Sequence, residues 1–209
     1  MNVPPENPTA PSRLFLLSPA SLNGVRAGQL TSQRAQFALA KMYRSPEGVC
    51  IEDAFAFMSA LYFRGKIAYA KKFALPPPTL PGSGVFIIAP GYGLVPSGWI
   101  LDADRMKKLR RTDVDLRIPS YRRPLQKAAA ELAAHLHDGD TVVLLGSIAT
   151  GKYVDILWPI FGERLLFPKV FVGIGDMSRG ALMLRAAQSG VELEYSTLDV
   201  PRHRPRISK

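Results

Sequence analysis

The sequence predicts a single α/β domain, with a largely parallel or mixed sheet flanked by helices, and three features predict it. Short apolar runs of strand length alternate with stretches whose apolar residues recur at three- and four-residue spacing. The runs, such as Leu14-Phe15-Leu16-Leu17, are continuous rather than alternating, as in strands buried on both faces. At 209 residues the chain is the size of one domain, and 47% hydrophobic against 21% charged residues provides a core and excludes global disorder.

Residues 1–12, rich in Pro and Asn, read as a flexible lead-in; the domain is expected over 13–198, and a basic tail over 199–209. The first strand starts at Arg13 and stops at Ser18-Pro19. A helix is expected over Thr31 to Arg44, with Thr31 and Ser32 as caps. Ile51 to Ala74 is helical by the spacing of Phe55, Met58, Leu61 and Tyr62, with Gly65 as a break. Leu75 to Gly84 contains three successive prolines and reads as a hinge-like linker, 75–84. Val85 to Ala89 is a strand, Pro90 to Gly98 a loop, and Trp99 to Ser120 a basic segment without clean periodicity. From Arg122 the positions of Leu125, Ala128, Ala129, Leu132 and Leu136 predict a helix, and Asp138-Gly139-Asp140 turns the chain into a strand over Thr141 to Leu145. A short helix around Tyr153 to Ile160, a strand over Leu165 to Val172, a helix over Ser178 to Gln188 and a strand over Val191 to Tyr195 complete the alternation. Ligands of such sheets bind at the carboxyl ends of the strands, which singles out the loops after Leu17, Ala89, Leu145 and Val172.

Lys and Arg number 27 against 17 Asp and Glu, a net charge of +10. A surplus of this size suits a polyanion, nucleic acid first, although an anionic membrane or a phosphorylated metabolite also fits the charge. The start has no signal-peptide pattern and no run of 18 apolar residues occurs, so a cytoplasmic protein that does not engage a membrane is expected. Cys50, the one cysteine, excludes an intramolecular disulfide and multi-cysteine metal sites. His135, His137 and His203 show no ligand spacing. No metal and no cofactor are expected. As a redox sensor Cys50 competes with the plainer reading of a small buried residue.

Four segments carry candidate chemistry. Gly146 to Lys152 has the spacing of a phosphate-binding loop after a strand, but Tyr153 stands where a magnesium-binding hydroxyl belongs; Ser147, Thr150 and Lys152 remain candidates for a metal-free phosphate site. Gly173-Ile174-Gly175 followed by Ser178 and Arg179 reads as the hairpin of a DNA-binding helix-hairpin-helix, as an anion site at a helix start, or as a plain turn. Tyr92 and Gly93 sit in the loop after the Val85 strand, where Tyr92 either stacks on a base or covers the sheet end. The strongest basic patch runs from Arg105 through Lys107, Lys108, Arg110, Arg111, Arg117, Arg122 and Arg123 to Lys127, against Asp113 and Asp115. The tail adds Arg202, Arg204, Arg206 and Lys209. Asp53, Asp102, Asp104, Asp155 and Asp176 form no recognisable acid–base pair, so no catalytic residue is assigned.

Several short segments in order resemble the YaaA family of bacterial peroxide-stress proteins: Leu16-Leu17-Ser18-Pro19-Ala20, Tyr62 to Tyr69, Gly91 to Pro96, Val142 to Tyr153, and Ser178 to Met183. Ser21 stands where that family carries a lysine, and Gly175-Asp176 replaces its paired lysines. The Ser-Pro and Gly-Leu-Val-Pro pattern is also similar to the uracil-DNA-glycosylase-like domain of archaeosine synthases. The resemblance implies an α/β core that binds DNA and limits oxidative damage, with a cleft at the loops carrying Ser18, Tyr92, Ser147, Lys152 and Arg179. The leading expectation is thus a nucleic-acid-binding protein of this group. The alternatives are an enzyme acting on a nucleobase or nucleotide in the same cleft, with Asp155 or Asp176 assisting, and a partner-binding scaffold.

Overall fold

The computed structural model describes residues 11–197. Both the first ten residues of the expected lead-in and the tail, 199–209, lie outside them. Order is in place by Ser12, whose amide donates to Asp140 and whose carbonyl accepts from Thr141. The elements are β1 (Arg13–Leu17), α1 (Val25–Thr31), α2 (Ala38–Arg44), β2 (Val49–Cys50), α3 (Ile51–Phe73), β3 (Val85–Ala89), β4 (Gly93–Pro96), β5 (Ile100–Leu101), α4 (Ala103–Arg111), α5 (Pro119–Ala133), β6 (Thr141–Leu145), α6 (Val154–Phe161), β7 (Leu165–Pro168), α7 (Asp176–Ser189) and β8 (Tyr195–Thr197).

The main sheet has the order β4-β3-β1-β6-β7-β8. Its four inner strands are parallel, and β4 and β8 are antiparallel edges. This is the predicted mixed, mostly parallel sheet flanked by helices. Alternate residues of β1 feed two cores: Phe15 and Leu17 pack with α1–α4 and α7, whereas Leu14 and Leu16 pack with α5 and α6. Because both faces are covered, the four apolar residues of β1 are fully buried. From β1 the chain moves to β3 through helices on the first face. From β6 it moves the opposite way to β7 through α6 on the second. The sheet therefore reverses its winding between β1 and β6, and a crevice opens beyond Leu17 and Leu145.

The element ends differ from expectation for local reasons. Of the helix expected over Thr31 to Arg44 only Ala38–Arg44 is helical; Thr31 instead ends the preceding helix α1, its hydroxyl donating back to the Ala27 carbonyl at 3.0 Å. Gly93 to Pro96 is an edge strand rather than a loop, formed as a hairpin on β3. The basic segment after Trp99 contains α4, whose N-cap Asp102 accepts from the Arg105 amide at 2.8 Å, and α5 starts at Pro119 rather than Arg122. β7 ends at Pro168, and a 3-10 turn over Lys169–Phe171 replaces its expected second half. That turn removes the first helix a helix-hairpin-helix would need. α7 spans Asp176–Ser189, and the last strand is Tyr195–Thr197, not Val191 to Tyr195. Leu75 to Gly84 joins α3 to β3, and its first residue exchanges two backbone hydrogen bonds with Arg13.

α3 is a helical hairpin. Phe55 and Phe63 meet edge to face at 5.4 Å, and Lys71 pairs with Glu52 at 2.6 Å. Eight and nineteen residues of straight helix would separate these pairs by ~12 and ~28 Å. The break is at Ala60 (φ 46°, ψ −122°), a strained backbone for alanine, and not at Gly65. Gly65 serves a different end, the crossing of α3 with α7. A Cβ on Gly65 would lie 2.5 Å from the Gly180 carbonyl oxygen, and one on Gly180 would lie 2.8 Å from that of Leu61. Gly180→Ala is therefore expected to cost about 1–3 kcal/mol, as overpacking does. Ala60→Gly should instead raise stability by about 1 kcal/mol by relieving the strained backbone. Chemical denaturation of both variants checks the pair.

Candidate functional site

The crevice beyond β1 and β6 has a volume of about 280 Å³. The loop after β1 (Pro19 to Asn23), Pro90 after β3, the end of α4 with Thr112 and Asp113, and Lys152-Tyr153 after β6 surround it. It thus collects the ends of three neighbouring parallel strands, as the winding reversal requires. Of the expected cleft residues, Lys152 lines it directly, whereas Ser18 is buried behind the lining and adjoins it through Pro19. Gly146 faces Ser18 across the two strand ends: a Cβ there would lie 3.0 Å from the Ser18 Cβ and 3.3 Å from its Oγ.

Lys66, from the second half of α3, is fully buried beneath this point. Its Nζ donates to the Ser18 carbonyl at 2.7 Å and to Ser18 Oγ at 2.9 Å, and it lies 4.4 Å from the centre of the Tyr62 ring. Ser18 Oγ has a second partner in the Leu145 carbonyl at 3.3 Å. Burial pushes the Lys66 amine down to about 7, opposed by the more distant Asp176 carboxylate. The Tyr62 hydroxyl is buried and makes no hydrogen bond to a described residue in regular geometry. Burial and Asp176 raise its pKa, and the nearby Arg179 pulls it back. Tyr153, buried on the crevice side, is raised in the same way by burial, then by Tyr62 and Asp176.

Arg179 is not a free anion ligand. Nε and Nη2 both donate to the Phe171 carbonyl, at 3.2 and 2.9 Å, and Nη1 pairs with Asp176 at 3.3 Å. It fastens the 3-10 turn to α7. Gly173 takes a left-handed conformation before the bend, Gly175 is the N-cap, and Ser178 is exposed on the first turn. In the loop resembling a phosphate-binding loop, Ser147 Oγ accepts from the Ala149 amide at 3.4 Å, and the Lys152 carbonyl accepts from Tyr121. The motif's second glycine has a structural cause. Gly151 is left-handed, and a Cβ there would meet the Asp155 carboxylate at 2.6 Å.

The basic patch divides into two sets, apart from Arg117 and Lys127, which pair on the surface with Asp115 and Glu131. Arg105 lies over Trp99 and donates to the Ile100 carbonyl, Lys108 Nζ sits 4.0 Å from the Tyr92 ring centre, and Arg110 donates to the Leu22 carbonyl at 3.0 Å. These cations hold structure. Lys107, Arg111, Arg122 and Arg123 are exposed, and their side chains make no hydrogen bond or ion pair with a described residue. Tyr92 is not in the crevice. It lines a groove of about 420 Å³ with Arg123, Pro124, Lys127, Ala128 and Glu131, whose carboxylate pairs with Lys127 at 3.8 Å. The groove exists because Gly93 brings β4 onto α5, where a Cβ would lie 2.4 Å from the Pro124 carbonyl oxygen.

Lys66, Tyr62 and Tyr153 are not among the candidate site residues of the sequence, although Tyr62 to Tyr69 is a family-like segment and Tyr153 a departure from the phosphate-loop motif. The signal for Lys66 was a lysine on the apolar face of α3, four residues after Tyr62 and four before Ala70, where a solvated lysine does not belong. Among the described residues no group of His, Cys, Asp and Glu that could hold a metal occurs, and no helix is long and apolar enough to cross a membrane. Cys50 is half-buried, and burial together with Asp53 and Glu52 raises its pKa, the opposite of an activated thiolate. Compared with family models, curated proteins and solved structures, the chain finds no match.

Two outcomes follow from these environments. Lys66 binds its proton less tightly folded than unfolded, so its contribution to stability improves as pH rises from about 7 toward the unfolded value and is at its worst below 7. Urea titrations at pH 6 to 9 should show this rise in the parent and a flatter profile in Lys66→Met. Cys50 should react with iodoacetamide at pH 7.5 more slowly than free cysteine; equal or faster alkylation contradicts the raised pKa.

Proposed function

We propose that the chain binds nucleic acid along α4, α5 and the Tyr92 groove. The observation that carries this reading is the groove itself, in which a partly exposed aromatic ring, held from behind by Lys108, lies beside Arg123 and Lys127. An aromatic platform flanked by cations is the arrangement that stacks a base and tracks its phosphates. Lys107, Arg111, Arg122 and Arg123 add charge that no described acid neutralises, in keeping with the net charge of +10. Tyr92 stacking needs an unpaired base, which favours single-stranded over duplex ligands. DNA as the ligand and protection against oxidative damage are what the YaaA-like segments add to the proposal.

Fluorescence anisotropy with single-stranded DNA, duplex DNA and RNA across a salt series tests the reading. Affinity should fall steeply with salt. Replacing Lys107, Arg111, Arg122 and Arg123 with Ala should reduce the slope of log K against log salt by about 3, at ~0.7 per phosphate for single strands. Tyr92→Ala should weaken single-strand binding by about 1–3 kcal/mol. Salt-insensitive binding, or a fourfold variant that binds like the parent, overturns it.

A further inference from the structure

We propose that Ser18 and Lys66 form a nucleophile–base pair that cleaves carboxylic esters presented in the crevice at the ends of β1 and β6. The reading goes beyond nucleic-acid binding and uses none of the residues assigned to it. Four observations support it. The Lys66 amine lies 2.9 Å from Ser18 Oγ, within reach for direct proton transfer. It is fully buried and forms no ion pair with a described carboxylate, and a buried amine without a counter-ion is readily neutral. Its other contacts, the Ser18 carbonyl and the Tyr62 and Phe63 rings, take up N–H groups and leave a lone pair for the hydroxyl. Finally, the pair sits at the winding reversal, where Gly146 approaches so closely that an added Cβ would crowd Ser18 Cβ at 3.0 Å and Oγ at 3.3 Å, so glycine there keeps a side chain off the hydroxyl.

The chemistry follows from these contacts. In the neutral pair, the Ser18 hydroxyl gives up its bond to the Leu145 carbonyl and donates to Lys66 instead. Ser18 Oγ attacks the ester carbonyl carbon while its proton passes to Lys66 Nζ. The bond from carbonyl carbon to alcohol oxygen breaks, and Lys66 returns the proton to that oxygen, releasing the alcohol and leaving an acyl-serine. Water then attacks the acyl carbon, its proton goes to Lys66, and Ser18 departs with that proton while the acid is released. Lys152 lines the crevice and suits an ester that carries a negative charge, beside Asp113 and an Arg110 already held on the Leu22 carbonyl. The groups facing Lys66 are Tyr62 and Phe63 of its own helix, Ser18 after β1, and, farther off, Asp176 of α7, itself paired with Arg179.

The test uses the full chain and a fluorophosphonate probe, which phosphonylates activated serines with loss of fluoride, and p-nitrophenyl acetate as a minimal ester. Peptide mapping should place the label on Ser18. The labelling rate should rise with pH through one midpoint near 7, and p-nitrophenyl acetate should give a burst of nitrophenolate that Ser18→Ala lacks. Lys66→Arg keeps a cation but offers no base at neutral pH, and should label at least ~100-fold more slowly. No label on Ser18, a rate indifferent to pH between 6 and 9, or unchanged labelling in a folded Lys66→Arg overturns the proposal. The pH profile of the parent decides even if Lys66→Arg does not fold. None of these readouts involves nucleic acid, so their failure leaves the binding proposal to its own test.

Discussion

The hydrogen bonds from Lys66 to Ser18 tie the second half of α3 to the end of the central strand, and much of the molecule is arranged around them. Taking an amine out of water is costly, and here two hydrogen bonds and two aromatic faces offset the loss, with the Asp176 carboxylate acting only from farther off. The second half of α3 must lie against the carboxyl edge of the sheet for the amine to reach Ser18. The hairpin at Ala60 sends it there, and the Gly65–Gly180 crossing sets how closely α7 follows. α7 brings Asp176 and Arg179, and Arg179 holds the turn after β7. One buried lysine therefore couples the first strand, the α3 hairpin and the last helix at the place where the sheet changes direction.

Charge on this protein performs two kinds of work. Arg105, Lys108 and Arg110 are used internally, over Trp99 and Tyr92 and on the Leu22 carbonyl, where they fasten α4 across the loops around the crevice. Lys107, Arg111, Arg122 and Arg123 make no such contact with a described residue. Exposed like charges without acidic partners repel one another, so a fold gains no stability from keeping them. On the proposed nucleic-acid reading, a surface that retains them beside an aromatic groove serves a polyanion, while the crevice is small and lies near a buried amine. α4 walls the crevice and α5 walls the groove, and the two regions differ in chemistry.

The sheet was legible because strands buried on both faces are continuous apolar runs: β1, β3 and β6 are located to the residue by such runs in the sequence. The crevice was legible from the same pattern, since parallel strands place ligands at their carboxyl ends. Pairings between distant residues were not legible. Gly65 reads locally as a helix break, and only Gly180, far along the chain, explains it as a helix contact. The turn at Ala60 carries no local signal, because alanine is the best helix former. α4 was missed because two apolar residues, Met106 and Leu109, suffice to anchor a short charged helix, too few for periodicity to register. Lys152 drew attention through a motif, yet Lys66, which carries no motif, is the lysine the fold buries.

The account stands most directly on the state of Lys66, and NMR titration of the lysine side chains, with ¹³C at Cε, measures it. The structure requires one lysine whose midpoint lies near 7, well separated from the others, and that signal should vanish in Lys66→Met. If every lysine instead titrates near the ordinary ~10.4, Lys66 is solvated and charged, and both the tie to Ser18 and the chemistry drawn from it are wrong.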